Sequence, residues 1–252
     1  MINSISIGSF TIHFYSLCIL LGVVCAYFLI TGQAKKKNIN EEFILNIIFY
    51  GIIIGIIGAR IYYVLFNLDY YLNNIVEIFK VWHGGLAIHG GILFGTVFVY
   101  LYSKKKNVSF LTLSDIILPG VILAQGIGRW GNFFNQEAYG MAVTRDLLQR
   151  LLIPNFVIKG MKINGVYYLP TFYIESIFCI IGFIIMIILR KKELKEGALT
   201  SFYLIWYGIL RLFIEYFRTD SLMIGNIKMA MLVSIISIML GIIILIKKER
   251  SR

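Results

Sequence analysis

Apolar runs of roughly 17–25 residues recur from one end of this chain to the other, the length that a bilayer's hydrocarbon core demands of a helix. Seven can be read, at about 14–32, 43–66, 86–102, 111–130, 172–189, 198–217 and 228–246. Charge density agrees with that reading. A soluble domain carries about a quarter charged residues; here 15% are charged and 59% are hydrophobic. The sequence therefore predicts an all-α polytopic membrane protein with seven transmembrane helices, a single membrane domain over residues 1–252. The fourth run is the least regular, because Pro119 and several glycines interrupt it. The opening residues MINSISIGSF lack the basic region and the small-residue cleavage site of a cleavable signal peptide.

The position of the charges orients the set. Net charge is +11, and fourteen of the 24 Lys and Arg residues follow odd-numbered spans. They are Lys35, Lys36 and Lys37; Lys104, Lys105 and Lys106; Arg190, Lys191, Lys192 and Lys195; and Lys247, Lys248, Arg250 and Arg252. With the N-terminus outside and the C-terminus in the cytoplasm, all four clusters face the cytoplasm, as the positive-inside rule expects. The excess charge then sets topology and meets anionic lipid heads, and no nucleic acid is needed as a partner. The external side holds the N-terminus and the segments at about 67–85, 131–171 and 218–227. Residues 131–171 are expected to form a small extracytoplasmic cap, mostly irregular with one hairpin. Asn164-Gly165 between short alternating runs signals a type I′ turn there. Cys18, Cys25 and Cys179 lie in apolar runs and make no CxxC pair, so neither a disulfide framework nor a metal site is expected. The run GIIIGIIG, Gly51 to Gly58, spaces small residues for close helix contact.

An ionisable side chain inside a span costs several kcal/mol unless it is paired or wet, so each one is a functional candidate. The set is Arg60, His89, Arg129, Glu137, Glu175, Arg211 and Glu215. Under the orientation above, all of them fall toward the external leaflet, which points to a pocket open on that side. In WYGILRLFIEYFR, the residues Tyr207, Arg211 and Glu215 are spaced i, i+4, i+8 and Arg218 follows, so the four stack on one helix face. An internal Arg211–Glu215 pair that merely locks the bundle would satisfy the same spacing. WHGGLAIHGG holds His83 and His89, each followed by Gly-Gly. Paired glycines admit close approach, and a histidine beside them can serve as a base near neutral pH. His13 precedes the first span and is expected at the interface.

The stretch GIGRWGNFFNQEAYG, Gly126 to Gly140, is the most informative. Gly126, Gly128 and Gly131 allow tight turns with exposed backbone N–H groups. Arg129 offers a planar fork suited to phosphate or carboxylate, and Asn132, Asn135 and Glu137 add orienting hydrogen bonds. Together they describe a seat for an anionic headgroup.

GRWGNFFNQEAYG resembles the signature of the prolipoprotein diacylglyceryl transferases, bacterial inner-membrane enzymes. HGG at 89–91, YGILRLFIEYFR at 207–218 and HFY at 13–15 are similar to the family's other motifs, and the resemblance spans the whole chain. It implies transfer of the diacylglyceryl group of phosphatidylglycerol to the lipobox cysteine thiol of a prolipoprotein signal peptide. A thioether forms and glycerol phosphate leaves, at the extracytoplasmic side of the membrane. The matching positions are Tyr15, His89, Arg129, Asn132, Glu137, Gly140, Tyr207, Arg211 and Glu215, with Arg129 matching the arginine assigned to the lipid phosphate. One departure stands out. Where the family often has His-Pro ahead of Tyr-Glu, this chain reads LPTFYIES, so Leu169 replaces the His and the Tyr moves to 173, while Pro170 and Glu175 match.

That reaction needs a thiolate and a held, neutralised leaving phosphate. Arg129 and Arg211 suit the clamp, with Glu137 and Glu215 holding the arginines. Either His89 acts as the base, or the arginines lower the thiol pKa enough and His89 positions the headgroup. No metal or other cofactor is implied. The main rival is a transporter for an anionic solute using the same arginines; the inner halves of the spans, almost purely Ile, Leu, Phe and Val, count against it. A membrane scaffold would leave the polar cluster unexplained. Another phosphatidylglycerol-using transferase would fit the physics equally and is disfavoured only by the motifs.

Overall fold

A computed structural model of the protein describes residues 3–7, 10–219, 223–224 and 227–250. In chain order the elements are β1 (Ser4–Ile7), β2 (Phe10–His13), α1 (Phe14–Lys36), α2 (Glu41–Leu65) and α3 (Leu68–Asn73). Two 3-10 turns at Ile75–Phe79 and Val81–His83 lead to α4 (Ile88–Lys105) and α5 (Phe110–Asn135). Then come β3 (Ala142–Val143), α6 (Arg145–Arg150), α7 (Asn155–Gly160), β4 (Lys162–Ile163) and β5 (Val166–Tyr168). The chain ends with α8 (Thr171–Leu189), α9 (Ala198–Phe217), β6 (Met223–Ile224), β7 (Ile227–Lys228) and α10 (Met229–Arg250).

Among the described residues, six helices are long and apolar enough to cross a membrane: α1, α2, α5, α8, α9 and the 229–247 part of α10. The protein is a mostly helical, multi-pass membrane protein. The third predicted span corresponds to α4, an 18-residue helix outside that group of six; it begins with Ile-His-Gly-Gly and ends on Lys104 and Lys105. The chain divides into two compact units, residues 31–113 and residues 1–30 with 114–252.

In the unit of residues 31–113, Asn40 starts α2 by accepting the Glu42 N–H at 2.8 Å, and Glu41 and Glu42 complement the helix N-terminus. Helices α2 and α4 meet almost backbone to backbone. A Cβ on Gly90 would lie 2.4 Å from the Gly58 carbonyl oxygen, so only hydrogen fits there. Arg60 is buried at this crossing, and its guanidinium faces no acid among the described residues. It donates to the carbonyl oxygens of Ile78 (2.9 Å), Gly84 (2.6 Å), Gly85 (3.0 Å), Lys80 (3.5 Å) and Glu77, and lies 5.1 Å over the Tyr71 ring. One side chain thus gathers the segment 77–85, adding a second donor to the Glu77 and Lys80 carbonyls, which already accept backbone N–H groups, and supplying one to Ile78, Gly84 and Gly85. Just beyond it, the Ala87 N–H donates to Ala59 at 3.0 Å, which sets the start of α4 against α2.

In the other unit, Asp115 of α5 reaches the start of α9. Its carboxylate accepts the N–H groups of Gly197 and Thr200 and the Thr200 hydroxyl, each at 2.7 Å. Gly197 itself stands at φ 81, in the left-handed region where a side chain would be strained. A cap supplied by a neighbouring helix fixes the depth of α9. Ile122, Cys179, Met186, Leu199, Leu210 and Ile214 form the core between α5, α8 and α9.

Two expectations are corrected. The fourth span runs as one helix through Pro119 and on to Asn135. Gly126, Gly128 and Gly131 therefore lie inside a helix rather than in tight turns, where their small size serves packing. A Cβ on Gly126 would come 3.2 Å from Cys179 Cβ, and one on Gly131 would come 2.7 Å from the Tyr15 ring. The 131–171 region is also not mostly irregular. The Asn164-Gly165 turn is there, with φ 49 and 85 between β4 and β5; β3 adds a third strand in the order β3-β5-β4, and α6 and α7 pack beside it. The reason is a small core of its own: Leu148, Val157, Ile158 and Met161 bury against Phe133 and Phe172. The hairpin β1–β2 had no counterpart in the apolar-run reading.

Replacing Arg60 with Leu removes all of these hydrogen bonds at once, each worth about 1 kcal/mol. Purified Arg60→Leu is expected to lose thermal stability and to be cut by protease between Asn74 and Ile88; a melting curve and cleavage map identical to wild type would refute this account.

Candidate active site

The site is built where α5, α8 and α9 meet. Helix α8 begins directly after Pro170, and its first residue is tied down: the Thr171 hydroxyl donates to Ala138 O at 2.6 Å. Gly140 N donates to Leu169 O at 2.9 Å. A Cβ on Gly140 would lie 3.0 Å from both Leu169 Cβ and Thr171 Cγ2, so any larger residue there would press the signature segment away from the start of α8. Backbone pairing of Gly140 with Arg218 brings the end of α9 to the same point. These ties place Glu175 one turn into α8, facing α5 and α9. Trp130 Nε1 donates to Ser176 Oγ at 3.1 Å, and Ser176 in turn donates to Gly126 O at 2.8 Å, which holds α5 and α8 in register.

Glu175 is the centre of the cluster. Its Oε1 lies 2.8 Å from Arg129 Nη2 and its Oε2 lies 3.4 Å from Arg211 Nη1. The Tyr207 hydroxyl donates to Oε1 at 3.0 Å and accepts from Arg129 Nη2 at 3.3 Å. Arg211 Nη2 is held by Glu215 Oε2 at 2.6 Å. Both carboxylates are 2% exposed. Two guanidinium groups and two carboxylates balance in charge, which lets the group exist in an apolar surround. Tyr203 stacks on Tyr207 at 5.8 Å and 4°, and its hydroxyl accepts Gln125 Nε2 at 2.9 Å. Lys228 caps the far end of α9, donating to Glu215 O at 2.7 Å and Arg218 O at 2.9 Å.

The chain over residues 3–247 matches the family model described as prolipoprotein diacylglyceryl transferase. It is 48% identical over 248 residues to the phosphatidylglycerol–prolipoprotein diacylglyceryl transferase of Staphylococcus haemolyticus, covering 98% of this chain and 88% of that one. The enzyme of the same name from Listeria monocytogenes serotype 4b is 44% identical over 246 residues, covering 98% and 89%. That from Streptococcus mutans is 45% identical over 255 residues, covering 100% and 97%. The chain belongs to the prolipoprotein diacylglyceryl transferase family. It is accordingly a transferase, and the reading as a transporter for anionic solutes has no support.

Against the residues expected for a prolipoprotein diacylglyceryl transferase site, the structure brings most together in one unit. Arg129, Tyr207, Arg211 and Glu215 join through Glu175. The Tyr15 ring lies against Gly131 of α5, which Asn132 directly follows, and Glu137 comes two residues after the helix ends. The expected support of Arg129 by Glu137 is corrected: the carboxylate that meets Arg129 is Glu175, while Glu137 accepts Asn132 Nδ2 at 2.9 Å and braces the helix exit. Chain direction explains this, because α5 ends at Asn135 and carries Glu137 past the arginine. His89 belongs to the other unit, as the second residue of α4, with its ring 6.4 Å from that of Tyr62. Arg60 is the carbonyl clamp described above. The His83 imidazole meets Glu77 at 2.8 Å, and His13 is exposed at the end of β2.

The sequence reading marked Glu175 as a polar residue in a span but gave it no role, and it overlooked Asp115 although the same cost argument applies. Tyr203 and Gln125 carried no signal, since neither is ionised.

Glu175→Gln keeps the shape but removes the charge both arginines share. Transfer activity should fall roughly 100-fold or more, with reduced thermal stability because the guanidinium groups lose their counter-charge. Wild-type turnover in this variant would remove Glu175 from the site.

Proposed function

We propose that this protein transfers the diacylglyceryl group from phosphatidylglycerol to the lipobox cysteine thiol of prolipoproteins, the first step of bacterial lipoprotein maturation. The family match over residues 3–247 carries this reading, and the paired arginines of the candidate site support it. In the reaction the substrate sulfur attacks the glycerol carbon that bears the phosphate ester. A C–S bond forms, the C–O bond breaks with its electrons on oxygen, and glycerol phosphate departs. The thiol proton must leave first, because the thiolate is the nucleophile.

The roles follow from chemistry. Arg129 and Arg211 grip the phosphodiester and stabilise the charge that grows on the leaving oxygen. Among the described residues, Arg129 meets Glu175 and Tyr207 through Nη2, which leaves Nε and Nη1 as the atoms to meet phosphate. Glu175 and Glu215 fix the two forks, and Tyr207 orients Glu175. Tyr15, Asn132 and Gly140 shape the seat beside Arg129, with Glu137 holding Asn132. His89 takes the thiol proton or positions the headgroup. The chain crosses the bacterial cytoplasmic (inner) membrane seven times, α4 included, with its N-terminus outside, its C-terminus in the cytoplasm and the site on the extracytoplasmic side. Residues 131–171 form the cap on that side of a single membrane domain.

The test is incubation of the purified protein with labelled phosphatidylglycerol and a lipobox peptide. Wild type is expected to yield the thioether, and Arg129→Ala to yield none while still inserting and melting cooperatively; near-wild-type transfer by that variant would defeat the clamp. If His89 is the base, His89→Gln loses most of its rate and the dependence on pH between about 6 and 9. An unchanged profile assigns His89 to positioning.

A further inference from the structure

We infer that the corner between α6 and α7 is a lipid-inserting tip that seats residues 131–171 on the anionic surface of the bilayer. The buried side chains of this region are accounted for: Leu148, Ile153, Val157 and Ile158 fill the small core. The outward positions of the same stretch are where a soluble surface would place polar groups. Instead they carry Leu147, Leu151, Leu152 and Phe156, all exposed, with Leu152 86% and Phe156 57% exposed. Leu147 and Leu151 are one helical turn apart and Leu152 follows directly, so the apolar groups form one patch.

Leu152 sharpens the case. It sits at φ 56 in the left-handed region, directly after Leu151, the residue that caps α6. Its N–H donates to Gln149 O at 3.0 Å, and that of Ile153 donates to Leu148 O at 3.1 Å. That closing pattern strongly favours glycine, and a leucine is strained there. The strain is borne by a side chain that buries little of itself within the protein, so its apolarity contributes mainly against an outside partner.

Two observations commit that partner to lipid rather than to a peptide. First, the Phe156 ring stacks on Trp130 at 6.1 Å and 14°. Trp130 lies in the last two turns of α5, a membrane-grade helix, so the corner continues the apolar surface of that helix's end. Second, the exposed ionisable groups around the tip are Arg145, Arg150, Lys159 and Lys162, against a single acid, Asp146, which pairs with Arg150 at 2.9 Å. A convex apolar tip with a basic rim matches the boundary between acyl chains and anionic headgroups; an extended apolar peptide would need a groove. The inference rests on the proposed placement of residues 131–171 outside the membrane.

The experiment uses the full-length protein in nanodiscs of phosphatidylglycerol and phosphatidylcholine, with tryptophan introduced as Leu152→Trp and, separately, Leu151→Trp. The emission gained over wild type is expected to be quenched several-fold more by acyl chains brominated near the headgroup than by iodide in the water. Stronger quenching by iodide overturns the inference. So does a probe that is shielded from iodide only when a lipobox peptide is added, which would make the tip a peptide site. The double variant Leu151→Glu/Leu152→Glu supplies a second readout. Its transfer rate should equal that of wild type in detergent and fall several-fold in phosphatidylglycerol nanodiscs, whereas equal rates in both would sink the proposal. Wild-type transfer in detergent, measured in the same series, separates failure of the tip from failure of the functional reading.

Discussion

A guanidinium group on a membrane-grade helix is stable only with a partner inside the protein, and the arrangement of α5, α8 and α9 follows from how two of them are partnered. Arg129 and Arg211 share Glu175, and Arg211 has Glu215 as well. Separating either arginine from its carboxylate would leave a buried charge, at about 3–5 kcal/mol. The three helices are therefore held to one relative depth and rotation. Asp115 sets that depth from one end of α9 and Lys228 from the other, while Thr171 and Gly140 fix where α8 starts. In the proposed reaction the same constraint would prepare the chemistry, because arginines immobilised in advance have little reorganisation left to do when charge develops on a leaving phosphate.

Residues 31–113 solve the same problem by another route. Among the described residues Arg60 meets no acid; carbonyl dipoles of the segment 77–85 surround it. One arginine thus organises an irregular stretch between two helices, and the Gly58–Gly90 contact then sets the start of α4, where His89 sits. Arg60 and Arg129 look alike as letters in apolar runs. One is a structural clamp and the other a candidate for catalysis, and the difference lies wholly in the partners.

Residues 131–171 work on a smaller scale. A core of a few aliphatic side chains around Phe133 and Phe172 suffices to order two short helices and three strands, since both ends are anchored by long helices. That anchoring leaves the outward face free to carry apolar groups that folding does not require.

How much of this was legible beforehand divides by range. The apolar runs, the Asn164-Gly165 turn, the small-residue crossing near Gly58, and the Tyr207–Arg211–Glu215 face all depend on neighbours within a few positions, and a period or a turn preference records them. The motif match carried the family. What the letters could not express was pairing at a distance. That Glu175 rather than Glu137 meets Arg129, that Asp115 caps α9, and that Gly126 and Gly131 are packing residues inside a helix all depend on which helices touch and at what height. Only the tertiary fold decides that, because the free energy of a buried charge is set by the atom brought against it, however far away in the chain that atom begins.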